Sequence, residues 1–144
     1  MNFSNLEQLY RSVIMDHYKH PRNKGELDSG TITIDMNNPT CGDEIRLMLE
    51  VKDNIIDDVR FEGHGCSISM ASASMMTEAV KGKNVERALE MADEFSKMML
   101  GEEYTITDDM GDIEALSGVS QFPARIKCAT LSWKALEKGV KEEE

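Results

Sequence analysis

Apolar residues recur at helical spacing near the start of the chain, at Leu6, Leu9, Tyr10, Val13 and Ile14, and predict an amphipathic first helix. Ser4, followed three residues later by Glu7, has the form of a capping box with Ser4 as N-cap. Pro21 stops this helix at about His20, because a residue preceding proline is disfavoured in the α region. A polar stretch, Arg22 to Gly30, leads to a period-two segment with Ile32, Ile34 and Met36 on one side. The clearest strand is Ile45 to Lys52, whose odd positions are all apolar, as in a half-buried sheet. Asp53-Asn54 predicts a turn, and Ile56 to Phe61 returns as the next strand of a meander.

From Cys66 the chain becomes rich in Ser, Ala and Met, which predicts a close-packing helix to about Val80. Asn84 is placed to cap a further helix, whose apolar positions Val85, Leu89, Ala92, Phe95 and Met99 end at Gly101. An acidic stretch, Glu102 to Glu114, separates it from a final helix with Pro123 in its first turn. Ile126, Ala129, Trp133 and Leu136 form the apolar stripe of that helix. The layout is α+β: a small antiparallel three-stranded sheet with helices packed on one side. With no internal repeat or low-complexity tract, residues 1–144 read as one domain.

Charge and composition narrow the function. A net charge of −11 argues against nucleic acid, whose binding rests on Lys and Arg. The acidity either serves solubility or steers a basic partner. No run approaches the roughly 18 apolar residues of a membrane span. The first residues show neither the basic flank nor the apolar stretch of a secretory signal, so the expectation is a cytoplasmic protein with reduced thiols. The 11 methionines are expected mostly in the core, filling gaps.

Three cysteines are an odd number, so disulfides cannot use them all within one chain, and no pair sits at the tight two-residue spacing of a zinc finger or thioredoxin-like site. Cys41 and Asp43 lie two apart on the way into a strand, so an extended chain points both to the buried face at its rim. That is a chelating pair, or a turn with a buried Cys and a capping Asp. Cys66 follows Gly63-His64-Gly65 at a helix start, where the helix dipole favours a thiolate. Cys128 falls about 200° round the helical wheel from Ile126, off the apolar stripe and on the face of Arg125 and Ser132. Either it serves a site, with Arg125 and Lys127 favouring the thiolate, or the helix register differs. Three thiolates and one carboxylate suit tetrahedral zinc, and sulfur-rich ligation equally suits an iron–sulfur cluster.

Other residues carry weaker signals. His64 is open to a ligand, proton-carrier or plain loop role. His17 and His20, at i and i+3 near a helix C-terminus, suit either a second metal or the helix dipole. No nucleophile-elbow or dinucleotide-binding pattern is present.

His20-Pro21-Arg22-Asn23, Pro39-Thr40-Cys41-Gly42-Asp43, Gly63-His64-Gly65-Cys66-Ser67-Ile68-Ser69 and Cys128 together resemble the IscU/SufU/NifU N-terminal family of iron–sulfur cluster assembly. The resemblance spans nearly the whole chain and implies a SufE/NifU-like fold, with zinc or a nascent cluster held by Cys41, Asp43, Cys66 and Cys128. IscU-type members carry a histidine immediately before the third cysteine and a Leu-Pro-Pro-Val-Lys segment beside it. Here Lys127 stands there, after Gln121-Phe122-Pro123-Ala124-Arg125, and extra residues occupy Gly101 to Val119.

These departures resemble the SufU subgroup. For that subgroup the resemblance implies a zinc-dependent sulfurtransferase, taking persulfide sulfur from a pyridoxal-phosphate cysteine desulfurase of the SufS type. Cys41 would be the accepting, catalytic thiol, and Cys66 and Cys128 the anchors. The alternative is a non-enzymatic scaffold that assembles a transient [2Fe–2S] cluster and passes it to downstream apo-proteins. A third reading leaves the cysteines a purely structural role.

Overall fold

The computed structural model of the protein describes residues 3–27, 32–39 and 42–143. Helix α1 (Phe3–Lys19) is followed by three strands, β1 (Ile32–Asn38), β2 (Asp43–Lys52) and β3 (Ile55–His64). Helices α2 (Ser67–Val80) and α3 (Val85–Met99) come next. Two 3₁₀ segments, Asp108–Met110 and Ile113–Gln121, precede α4 (Pro123–Glu143). The sheet is antiparallel in the order β1-β2-β3. The helices gather against its apolar face, as the hydrophobic pattern predicts.

The sheet forms where the residues ask for it. Ile45, Leu47 and Leu49 alternate into the core with Ile34 from β1 and Ile56, Val59 and Phe61 from β3. Asp53 and Asn54 turn the chain with φ of 51° and 66°, the left-handed pair that a two-residue hairpin requires. The segment after α1 covers the outer edge of β3: Gly25 N–H donates to Phe61 C=O at 3.0 Å, and Phe61 N–H to Asn23 C=O at 3.0 Å. Pairing that edge removes a site for unwanted strand addition.

Helix ends follow their side chains. Asn84 accepts from the Arg87 N–H at 2.7 Å and starts α3. Pro123 occupies the first turn of α4. By contrast, α1 begins at Phe3, so Ser4 lies within the first turn and is not the N-cap that the capping-box pattern predicts. Leu9 also departs from the expected stripe: it is 58% exposed, while Tyr10, Val13 and Ile14 pack on the core.

Two larger corrections concern the second half. The stretch beyond Gly101 is no bare acidic linker, because Met110, Ile113, Leu116 and Val119 are buried and close one end of the core. Helix α4 packs against β1, β2, α2, α3 and the second 3₁₀ segment at once. It therefore buries several faces rather than a single stripe. Phe95 and Trp133 stack with ring centroids 4.9 Å apart. Gly139 lets α4 lie close on the sheet, since a Cβ there would sit 2.8 Å from Leu49 Cδ1. The methionines Met75, Met76, Met91, Met98, Met99 and Met110 fill the space between helices.

Candidate metal centre

β1 and β2 end together with Asn38 opposite Asp43, while β2 and β3 pair through Glu44 and His64. This register brings the start of β2 beside the chain that leaves β3 for α2. Gly63 opposes Ile45 so closely that a Cβ would overlap the Glu44 carbonyl oxygen, and its φ of 141° suits glycine alone. Gly65 lacks room for another reason. A Cβ there would overlap Asp43 Oδ1 and lie 2.6 Å from Ser69 Oγ. Both glycines of the Gly-His-Gly segment thus bring backbone against the Asp43 region.

Asp43 takes the parity of Ile45 and Leu47 and is fully buried. Its Oδ1 accepts from the Cys66 N–H at 2.9 Å and from Ser69 Oγ at 3.1 Å. Its Oδ2 is buried with no hydrogen-bond partner among the described residues. A buried carboxylate oxygen left unpaired is costly unless a cation completes it. Cys66 is the N-cap of α2, and its sulfur is 3.8 Å from Ser69 Oγ. Cys128, in the first turns of α4, is fully buried, with Asn38 Nδ2 at 4.0 Å from its sulfur.

Ligand atoms of Asp43, Cys66 and Cys128 all lie within 4.8 Å of one another, close enough to hold one metal ion. Three of the four residues expected to form a site are therefore together. Cys41, with Thr40, lies outside the described residues. Next to it Gly42 has a φ of 73°, and its N–H donates to the Asn38 C=O at 2.9 Å, closing the turn.

The helical wheel placed Cys128 off the apolar stripe, on the face of Arg125 and Ser132, and the structure shows that this face is not an exposed one at Cys128. Cys128 and Ser132 are both buried, because α4 is enclosed on more than one side. Arg125 is exposed at the mouth of the site. Electrostatic attraction to Cys66, a hydrogen bond to it and the pull of Cys128 hold the guanidinium above the ordinary arginine pKa. Ser69 and Asn38 were missed by sequence reasoning. Ser69, three residues after Cys66 in the opening turn of α2, is fully buried, a property no local pattern announces.

The histidines lie elsewhere. His64 is exposed at the end of β3 and pairs with Glu44 at 3.1 Å on the outer face. His17 does not join His20: its ring is fully buried, with Nδ1 2.8 Å from Ser74 Oγ and Nε2 3.0 Å from Asp112 Oδ2. It ties α1 to α2 and to the 3₁₀ region.

Fold and site together define a small α+β protein that gathers thiols and a buried carboxylate into a cluster able to hold a metal ion. Known proteins agree. A family model described as the NifU-like N-terminal domain matches residues 9–142, and the chain belongs to that family. It is 67% identical over 145 residues to the zinc-dependent sulfurtransferase SufU of Bacillus subtilis strain 168, covering 100% of this chain and 98% of the relative. It is 48% identical over 141 residues to the iron–sulfur cluster assembly scaffold protein IscU of Streptococcus pyogenes serotype M1, covering 98% and 88%. The fold persists at 19% identity in a crystal structure of the N-terminal part of a NifU-like protein from Brucella abortus, with a TM-score of 0.86 over 96% of this chain and 97% of that one. Among the described residues no helix is long and apolar enough to cross a membrane.

Proposed function

We propose that this protein is a zinc-dependent sulfurtransferase that accepts persulfide sulfur from a pyridoxal-phosphate cysteine desulfurase of the SufS type during iron–sulfur cluster biogenesis. The observation that carries the reading is the grouping of an Asp43 carboxylate oxygen with the sulfurs of Cys66 and Cys128, all within 4.8 Å of one another, on a buried carboxylate whose Oδ2 has no hydrogen-bond partner among the described residues. The donor set fits zinc, which takes thiolate sulfur and carboxylate oxygen in fours. Asp43, Cys66 and Cys128 would hold the ion, with Cys41, two residues before Asp43, as fourth ligand. When bound, zinc keeps the thiols deprotonated and shields them from oxidation.

The chain's own residues then divide the work. Cys66 and Cys128 sit on helices packed into the core and act as anchors. In the sequence Cys41 lies between Pro39-Thr40 and Gly42, two residues before Asp43. Its thiolate attacks the outer sulfur of the donor's persulfide. A new S–S bond forms on Cys41, the donor's S–S bond breaks, and the donor leaves as a thiolate. The exchange is redox-neutral, and the persulfide's proton or charge travels with the transferred sulfur. Arg125 faces the sulfurs and favours an anionic group arriving there.

Lys127 stands where IscU-type members carry histidine, and the 67% relative bears the sulfurtransferase name; both support sulfur acceptance over cluster building. The scaffold reading draws on the 48% relative. Desulfurase turnover with this protein added, and mass spectrometry of its cysteines, tests the proposal. Wild type stimulates turnover and gains one sulfur on Cys41, and Cys41→Ala does neither. Equal stimulation by Cys41→Ala would refute it. A [2Fe–2S] cluster that survives desalting and passes to an apo-acceptor would favour the scaffold instead.

A further inference from the structure

Ser74 and Glu78 stand one turn apart on α2, so their side chains share one face of it. The His17 ring from α1 lies against that face. Its Nδ1 is 2.8 Å from Ser74 Oγ and its Nε2 is 3.8 Å from Glu78 Oε1. Asp112, just before the second 3₁₀ segment, brings Oδ2 to 3.0 Å from the same Nε2. One imidazole and two carboxylates from three separate elements thus meet, with all three ligand atoms within 4.8 Å of one another. None of the three belongs to the Asp43 cluster.

The ring is held from behind. His17 is fully buried, and Ser74 Oγ, which accepts from the Arg22 N–H at 2.9 Å, fixes its Nδ1 edge. A histidine that ligates through one nitrogen is usually held in this way through the other. Asp112 is the N-cap of the 3₁₀ segment yet makes no side-chain cap bond, so its carboxylate is not spent on the backbone. Glu78 and Asp112 are about half-exposed, which gives an ion a path from solvent and room for water. Charge also favours a cation. Arg22 faces the group, with Nε 3.9 Å from Glu78 Oε1, but its Nη2 is committed to Asp16 at 2.7 Å. Three carboxylates against one guanidinium leave an excess of two negative charges beside the imidazole.

The geometry points to a second divalent-cation site, in which His17 Nε2, Glu78 and Asp112 ligate one first-row ion such as Mn²⁺ and water fills its remaining positions. The spacing fits. Ligand atoms about 2.1 Å from an ion stand about 3.0 Å apart on an octahedron and about 3.4 Å apart on a tetrahedron. The separations of 3.0 and 3.8 Å need only small side-chain movements to meet either. The donor chemistry differs from that of the cysteine cluster: thiolates retain zinc, whereas an imidazole with two carboxylates accepts harder ions, manganese among them. Binding exchanges the proton between Nε2 and Asp112 for the ion, and the proton leaves to solvent. The bound ion fastens α1 and the segment before α4 to α2, the helix that Cys66 caps.

The test uses full-length protein loaded with a single zinc per chain and titrated with Mn²⁺, the free ion being followed by electron paramagnetic resonance. Wild type takes up one further ion per chain, and its melting temperature rises with Mn²⁺. Glu78→Gln and Asp112→Asn change partly exposed positions, and each weakens uptake roughly tenfold or more while zinc content stays at wild type. Asp108→Asn removes the same charge from the same connection, outside the ligand group, and keeps wild-type uptake. Failure of the zinc-loaded wild type to bind Mn²⁺ one-to-one overturns the site. An equal loss in Asp108→Asn overturns it too, because diffuse acidity would then account for the binding. Wild-type uptake in both ligand variants has the same force.

Discussion

Asp43 commits Oδ1 to the Cys66 backbone N–H at 2.9 Å and leaves Oδ2 buried without a hydrogen-bond partner among the described residues, in a group whose ligand atoms lie within 4.8 Å of one another. One carboxylate thus performs two tasks. Oδ1 helps cap α2, whose N-cap Cys66 makes no side-chain cap bond of its own. Oδ2 remains as a single oxygen for a cation. The hydrogen bonds to Oδ1 from the Cys66 N–H and Ser69 hold the carboxylate in place.

Ser69 holds that arrangement. Its Oγ lies 3.1 Å from Asp43 Oδ1 and 3.0 Å from the Cys66 carbonyl oxygen. Removing the hydroxyl in Ser69→Ala frees the carboxylate to rotate. Outer-shell losses of this kind typically weaken metal binding by about 10–100-fold. Chelator competition should show that loss, and the cobalt-substituted protein should show altered ligand-field bands. An unchanged cobalt spectrum with wild-type affinity would remove Ser69 from the site.

Gly65 is required by space rather than by backbone angle. Its missing Cβ leaves room for Asp43 Oδ1 and Ser69 Oγ. Gly65→Ala therefore displaces the carboxylate, at a cost of about 1–3 kcal/mol typical of overpacking. Gly118 has nothing within 4 Å of its position and no positive φ. Gly118→Ala serves as the paired control and should leave both melting temperature and zinc content intact. Matching behaviour of the two variants in thermal melts would contradict the steric account.

Acid sensitivity should centre on the connection between α3 and α4. Arg87 donates through Nη2 to Asp109 Oδ1 at 3.0 Å and to Thr107 Oγ1 at 2.7 Å. The Arg87 hydrogen bond, then one from Thr107, lower the Asp109 pKa to about 2. A depressed folded-state pKa contributes stability that is present above the ordinary value of 3.8 and is lost as pH falls toward about 2. Carboxyl NMR titration should find Asp109 titrating near that lower value in wild type and near an ordinary one in Arg87→Ala. The same midpoint in both proteins would show that Arg87 is not the cause.

Much of the fold was legible because local patterns coincide with burial. Ile45, Leu47 and Leu49 alternate, and they are buried. Asp43 continues their parity, so its inward direction could be read two residues before the apolar run began. Cys66 stood where a strand gives way to a small-residue helix, and it caps that helix. His17 shows the limit. Its sequence neighbour His20 suggested a pair, yet its partners are Ser74 and Asp112, which lie 57 and 95 residues away. Nothing local announces such contacts.

By itself, the sequence determined the order of elements, the three-stranded meander, the inward face of Asp43 and the family resemblance carried by its cysteine motifs. Backbone periodicity and turn chemistry act over a few residues, so they survive in a linear reading. Only the tertiary structure decided that Cys128 is buried and that Asp43 Oδ2 has no hydrogen-bond partner among the described residues. It also decided that Ser69 and Gly65 shape the site, and that His17 meets Glu78 and Asp112 rather than His20. Those properties depend on which surfaces α4 and the 3₁₀ segments cover. A helical wheel describes one helix against one neighbour, whereas α4 is enclosed by several.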